Sequence, residues 1–126
     1  MVRVRQAEPT EFEPATAILD AAVLETDPGL VRQRIDNDRM LVAVDDGRIV
    51  GSVVAQSIDQ GVRIDAIAVR KRRQGQGIGT MLVETLLERH GRVVAEFDER
   101  ARPFYEALGF EIQEQQSGRY RGVRTI

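Results

Sequence analysis

The sequence predicts one α/β domain with a mixed sheet, its elements running β-α-α-β-β-β-α-β-α-β-β across residues 1–126. Three observations carry this reading. Met40 to Val44 and Arg48 to Ser57 are strand-like runs on either side of Asp45-Asp46-Gly47, and Gln60-Gly61 turns the chain into a third run, Val62 to Val69; together they make an antiparallel meander. A glycine-rich loop then joins the β-branched end of that strand to apolar residues at helical spacing. The next run, Val93 to Phe97, is reached through that helix, so it lies parallel to the strand before it.

The remaining elements follow in order. Val2 to Arg5 alternates apolar and polar and forms a first strand. Thr10-Glu11-Phe12-Glu13 reads as a capping box, and the helix it opens carries Ala15, Ile18, Leu19 and Ala22 on one face. Asp27-Pro28 starts a second, short helix that buries Leu30, Val31 and Ile35. Ile78, Met81, Leu82 and Leu86 mark the inner face of the third helix, which Gly91 ends after His90. Pro103 sits in the first turn of a fourth helix, where its missing N–H costs little. Phe110 to Gln113 and Tyr120 to Thr125 complete the sheet, with the loop between them near Gln115 to Arg121.

Composition narrows the function classes. A chain of 126 residues buries roughly two thirds of its unfolded surface as one domain. Its 42% hydrophobic content and mean hydropathy of −0.29 suit a globular protein, and no apolar run approaches the roughly 18 residues of a membrane span. The start, Met1-Val2-Arg3-Val4-Arg5, lacks an apolar signal region, so the expected location is the cytoplasm. With no cysteine and one histidine, neither a thiolate nucleophile nor a metal centre is expected. A net charge of −2 speaks against a dedicated nucleic-acid binder.

The chemistry concentrates in Arg72-Arg73-Gln74-Gly75-Gln76-Gly77-Ile78-Gly79-Thr80. Glycines at alternate positions where a helix begins leave main-chain N–H groups open, and the helix dipole adds partial positive charge beside them. Such a place binds phosphate or pyrophosphate, and Arg72 and Arg73 reinforce it. A dinucleotide fingerprint would need G-x-G-x-x-G directly after the strand. A Walker loop would need Gly-Lys-Ser/Thr, yet the chain's only lysine, Lys71, precedes the glycines.

What fits is Gln74-x-x-Gly77-x-Gly79, with an overlapping match from Arg72, and downstream Asp98-x-x-Ala101-x-x-Phe104-Tyr105-x-x-Leu108-Gly109-Phe110. The pair resembles the pyrophosphate loop and closing segment of the GNAT superfamily, the acyl-CoA-dependent N-acyltransferases. The resemblance implies a sheet splayed between its fourth and fifth strands and acetyl-CoA lying in the gap. It implies that Ile67, Ala68 and Val69 offer main-chain groups to the pantetheine arm, while Gln74, Gly75, Gln76, Gly77, Ile78, Gly79 and Thr80 hold the pyrophosphate. Tyr105 falls where the family has a tyrosine near the coenzyme sulfur, and a phenol protonated at neutral pH can donate to a departing thiolate. Two positions depart from the family pattern: Lys71 stands where proline is common, and Asp98 where asparagine often touches the coenzyme arm. Asp98 either accepts there or caps the following helix.

A base for the acceptor amine is less plain. Asp65 shares strand parity with Ile67 and Val69, so without a bulge the three point to one face, and several GNAT enzymes carry a carboxylate base on this strand. An ion pair with Arg63 or Arg48 is the competing role. Glu96 is the second candidate, and His90 reads as a surface residue complementing a helix end. The expected function is N-acetyl transfer from acetyl-CoA to a primary amine by direct attack; the alternative is a GNAT-like regulatory module that binds acyl-CoA without turnover. No nucleic-acid or membrane partner is expected, a homodimer is compatible with the pattern, and the acceptor itself is not readable. Arg119 and Arg121 hint at a carboxylate or phosphate on it, against a solvated rim.

Overall fold

A computed structural model of the protein describes residues 1–21 and 39–126. In chain order the elements are β1 (Arg3–Gln6), α1 (Phe12–Ala21), β2 (Met40–Asp45), β3 (Arg48–Ser57), β4 (Val62–Val69), α2 (Ile78–His90), β5 (Arg92–Asp98), α3 (Arg102–Ala107), β6 (Glu111–Gln116) and β7 (Arg119–Thr125). The helix expected from Asp27, like Ala22, lies outside the described residues. The strands form one sheet in the order β1-β2-β3-β4-β5-β7-β6, antiparallel throughout except for the β4–β5 pair.

Each face of the sheet has its own core. On one face α2 buries Ile78, Leu82, Val83, Leu86 and Leu87 against Val53, Val62, Val93, Ala95 and Phe97. Each such side chain contributes roughly 1.5–3 kcal/mol of burial. On the other face Ala15, Ile18 and Leu19 of α1 pack on Met40, Val42, Val54 and Ala68. The expected cap of α1 is displaced. Pro9–Glu11 form a 3-10 turn ahead of the helix, so Thr10 sits inside that turn. Glu11 accepts the Glu8 N–H at 2.8 Å and is gripped by Arg5 at 2.7 and 2.8 Å.

At the far end of α2, Gly91 is left-handed and donates to the Leu87 carbonyl at 2.8 Å, as its glycine predicts. His90 differs from expectation. Burial, then the charges of Arg39 and Arg89, push its pKa below the ordinary value, so it is largely neutral at pH 7 and adds little charge to the helix end.

The sheet opens where the resemblance implies. β4 and β5 are in register only at Val62–Val93 and Arg63–Val94. Beyond those rungs β4 stays with β3 as far as Val69, and β5 stays with β7 as far as Asp98, so the two strands part.

Candidate active site

The gap exposes one edge of β4, and the ladder tells which groups line it. Arg70 N–H donates to the Val50 carbonyl at 2.8 Å, which makes these two a hydrogen-bonded pair. Pairs alternate along an antiparallel ladder, and no register shift interrupts β4 between Ala66 and Val69. Val69 and Ile67 therefore turn their main-chain groups away from β3 and into the gap, whereas Ala68 turns its own to Ser52. Of the three residues expected to offer main-chain groups, Ala68 is thus corrected: its N–H and carbonyl belong to the β3 ladder. The Val69 carbonyl already accepts the Gln74 side-chain amide at 3.2 Å, which leaves its N–H and both groups of Ile67 open.

At the wide end of the gap stands the start of α2. Gly77 is its N-cap, at φ 83°, with no side chain capping the helix. The first turn closes with Met81 N–H on the Gly77 carbonyl at 3.0 Å, so the N–H groups of Ile78, Gly79 and Thr80 have no helical partner. Among the described residues, no atom beyond its chain neighbours lies within 4 Å of a β-carbon built on Gly77; the constraint there is backbone conformation and open space. At Gly79 a β-carbon would meet the Phe104 ring at 3.2 Å, so this glycine serves close packing instead.

A cleft of about 470 Å³ is lined by Ile67, Ala68, Val69, Gln74, Gly75, Gly77, Ile78, Gly79 and Thr80, which the sequence singles out, together with Arg73 and Phe104. The two additions have different origins. Phe104 reads as core from sequence, yet it is half-buried and walls the cleft opposite Gly79. Arg73 reads as positive charge reinforcing the anion site, and it also fixes the loop, donating to Asp45 and to Gln76, each at 2.8 Å. Gln76 is thereby turned to Arg73 and does not line the cleft.

Three further site residues stand apart from the cleft lining. Tyr105 is 4% exposed, stacked on Phe97 with ring centroids 4.4 Å apart and edge-on to Phe104 and Phe110. Burial pushes its phenol up to about 12, so it stays protonated far above neutral pH. Asp98 accepts the Arg100 N–H at 3.0 Å and its guanidinium at 3.2 Å, and the bond from the Arg100 side chain is the chief cause holding its carboxyl below the usual range. It fixes the turn ahead of α3 without capping that helix, whose N-cap is Ala101 with no side-chain cap.

Asp65 is the clearest correction. Ala66 pairs with Val54 while Ile64 pairs with Ala55, so Asp65 is the extra residue of a β-bulge. Val62 and Ile64 before it, and Ile67 and Val69 after it, pack on the α2 side, whereas Ala66 and Ala68 pack on the α1 side. The alternation that would put Asp65 on one face with Ile67 and Val69 is therefore broken at this residue. Glu96 emerges on the α1 side of β5, exposed, 3.7 Å from Arg63.

A pocket with main-chain donors at a helix start, continuous with an unpaired strand edge, suits a ligand with a diphosphate at one end and an amide-bearing arm at the other. The main-chain donors, the positive-φ glycine and the open edge fit coenzyme A in that sense. Residues 36–112 match the model of the acetyltransferase (GNAT) domain. Among solved structures, Ard1 from Thermoplasma volcanium superposes with a TM-score of 0.84 at 22% identity, covering 99% of this chain and 97% of that one. The ribosomal-protein-S18-alanine N-acetyltransferase from Escherichia coli gives 0.79 at 18% identity, covering 98% and 91%. N-acetylglutamate synthase from Neisseria gonorrhoeae, complexed with coenzyme A and N-acetyl-glutamate, gives 0.83 at 16% identity, covering 99% of this chain and 35% of that one. The chain belongs to the GNAT acetyltransferase family, whose activity at the superfamily level is acyl transfer.

Proposed function

We propose that the protein is an N-acetyltransferase that moves an acetyl group from acetyl-CoA to a primary amine by direct attack. The observation that carries this reading is the single cleft joining the α2 N-terminus to the ladder-free edge of β4. Ile78, Gly79 and Thr80 would hold the diphosphate by their N–H groups, and Ile67 and Val69 would hold the arm and present a donor to the thioester carbonyl as negative charge develops on it. Asp65, at the bulge of β4, takes the proton that the incoming ammonium must lose. The amine nitrogen forms its bond to the carbonyl carbon, the C–S bond breaks with its electron pair on sulfur, and Tyr105 donates its proton to that thiolate. The second proton that nitrogen sheds on becoming an amide returns through solvent to Tyr105. The Asp65 and Tyr105 roles are proposals supported by their placement on β4 and α3.

One observation favours the second reading, a binding module without turnover: Tyr105 is packed among aromatic rings and is absent from the cleft lining. Thiol release from acetyl-CoA with a panel of amines, run beside calorimetric acetyl-CoA binding, separates the two. Release above the amine-free rate supports the enzyme. Tight binding with no release on any amine supports the module.

A further inference from the structure

We propose that the acceptor amine carries a carboxylate of its own, received by Arg121 with Arg63 beside it at the narrow end of the gap. The proposal rests on the acyltransferase reading and names the substrate class of that site.

Strand parity places these side chains. Val93, Ala95 and Phe97 lie in the core beneath α2, so Glu96 emerges on the opposite face of β5. On β7, Tyr120 is in the same core, and a β-carbon on Gly122 would meet Phe97 at 3.0 Å, so Arg121 between them emerges beside its register partner Glu96. On β4, Val62 and Ile64 point to the α2 side and Arg63 to the other. Arg63–Val94 is also the last rung before the strands part. Arg121, within the expected strand Tyr120 to Thr125, is inside β7 and half-buried.

A cleft of about 630 Å³ at this place is lined by Asp59, Arg63, Arg92, Glu96 and Arg121, among others. The three arginines are not equivalent. Arg92 donates to the Gln60 carbonyl at 2.9 Å. Arg63 faces Glu96 at 3.7 Å, beyond hydrogen-bond length. Arg121 has no hydrogen bond or ion pair with a described residue. A half-buried guanidinium bears a desolvation cost that a carboxylate offsets, and its fork binds one in a bidentate manner.

The position agrees with the reaction. From Val69, beside the glycine loop, to Arg63 is roughly 20 Å of strand. A coenzyme held by its diphosphate at the loop, with its arm along Val69 and Ile67, directs its thioester toward the narrow end. An amine that attacks there from the α1 face of the sheet has the rest of its structure over Arg63 and Arg121. A polycationic acceptor would meet an excess of arginine instead.

The test is thiol release by the full chain with acetyl-CoA and matched acceptors: an amino acid, its amide, the decarboxylated amine and a phosphate-bearing amine. The carboxylate-bearing amine should show a kcat/KM roughly tenfold or more above its amide, mainly through KM, because an arginine left without its anion discriminates strongly. In Arg121→Gln that ratio should fall to within about twofold of unity, and Arg121→Lys, which keeps the charge but not the fork, should retain part of it. Melting curves report whether each variant folds, and Arg121→Lys carries the test should the glutamine variant not fold. Equal kcat/KM for acid and amide, or an undiminished ratio in a folded variant, overturns the inference. A preference for the phosphate-bearing amine overturns the carboxylate assignment. Release with no amine, while acetyl-CoA still binds, removes the acyltransferase reading and this inference with it.

Discussion

At the wide end of the β4–β5 gap the groups offered to a ligand are main-chain: N–H of Ile78, Gly79 and Thr80, and the open groups of Ile67 and Val69. At the narrow end they are side chains: Arg63, Asp65, Glu96 and Arg121. The wide end depends on backbone conformation at a few glycines and tolerates change in the charges around it. The narrow end depends on which face each residue takes, and each of its groups can be removed singly. On the proposed function, the coenzyme shared by the family would be held at the first end and the acceptor particular to this chain met at the second.

Breaking the wide end should have the largest effect. Gly77→Val forces a branched residue into φ 83°, at a cost of roughly 1–2 kcal/mol, and puts bulk where the anion approaches. Among the described residues nothing beyond the chain neighbours lies within 4 Å of the new β-carbon, so the fold should hold. Acetyl-CoA affinity should drop by more than about 10²-fold by calorimetry, near 3 kcal/mol. Affinity within a few-fold of wild type in a folded variant would detach the loop from the ligand.

Tyr105→Phe removes only the proton donor. Turnover should fall by roughly 10²-fold with acetyl-CoA affinity little changed. A second readout follows from its environment. Its folded pKa, about 12, lies above the ordinary 10, so its contribution to stability is fully present below pH 10 and lost as pH rises through 12. Denaturant unfolding should show a fall of about 2–3 kcal/mol over that window, absent in Tyr105→Phe. Wild-type turnover in the variant would return the residue to the core alone.

At the narrow end, Asp65→Asn should lower the maximal rate by roughly tenfold at pH 7, with the loss shrinking as pH rises and more amine arrives unprotonated. A pH–rate profile superimposable on wild type would shift the role to Glu96, tested in the same way. The smallest effects belong to the charges around the loop. Arg73→Ala frees both the hairpin and Gln76 contacts and should weaken acetyl-CoA binding by about five- to tenfold. Arg72→Ala, at an exposed position, should cost less than about threefold and vanish in high salt.

The same contrast explains what was legible in the sequence. Gly77 and Gly79 announce the loop because glycine suits the left-handed φ of the first and the close approach of the Phe104 ring to the second, and the resemblance supplies the splay that the two-rung register shows. The meander and the parallel crossover follow from turns and apolar runs. The bulge at Asp65 has no signature in Ile64-Asp65-Ala66, and one extra residue reverses which face the residues beyond it take. The last turn reads too long for a related reason: polar Gln115 to Arg121 suggests a loop, whereas β6 and β7 continue to a short turn at Ser117-Gly118. Phe104 was assigned to the core because sequence spacing does not show that Gly79 lies against its ring.

The central claim, that main-chain groups freed by the splay and by the glycine cap hold the coenzyme, is tested most directly by amide hydrogen exchange resolved by residue, with and without coenzyme A. The account predicts slowed exchange at Ile67, Val69, Ile78, Gly79 and Thr80, and little change at Ala68, whose N–H is already committed to β3. Protection that leaves Ile67 and Val69 untouched, or that appears at Ala68 alone, would contradict it.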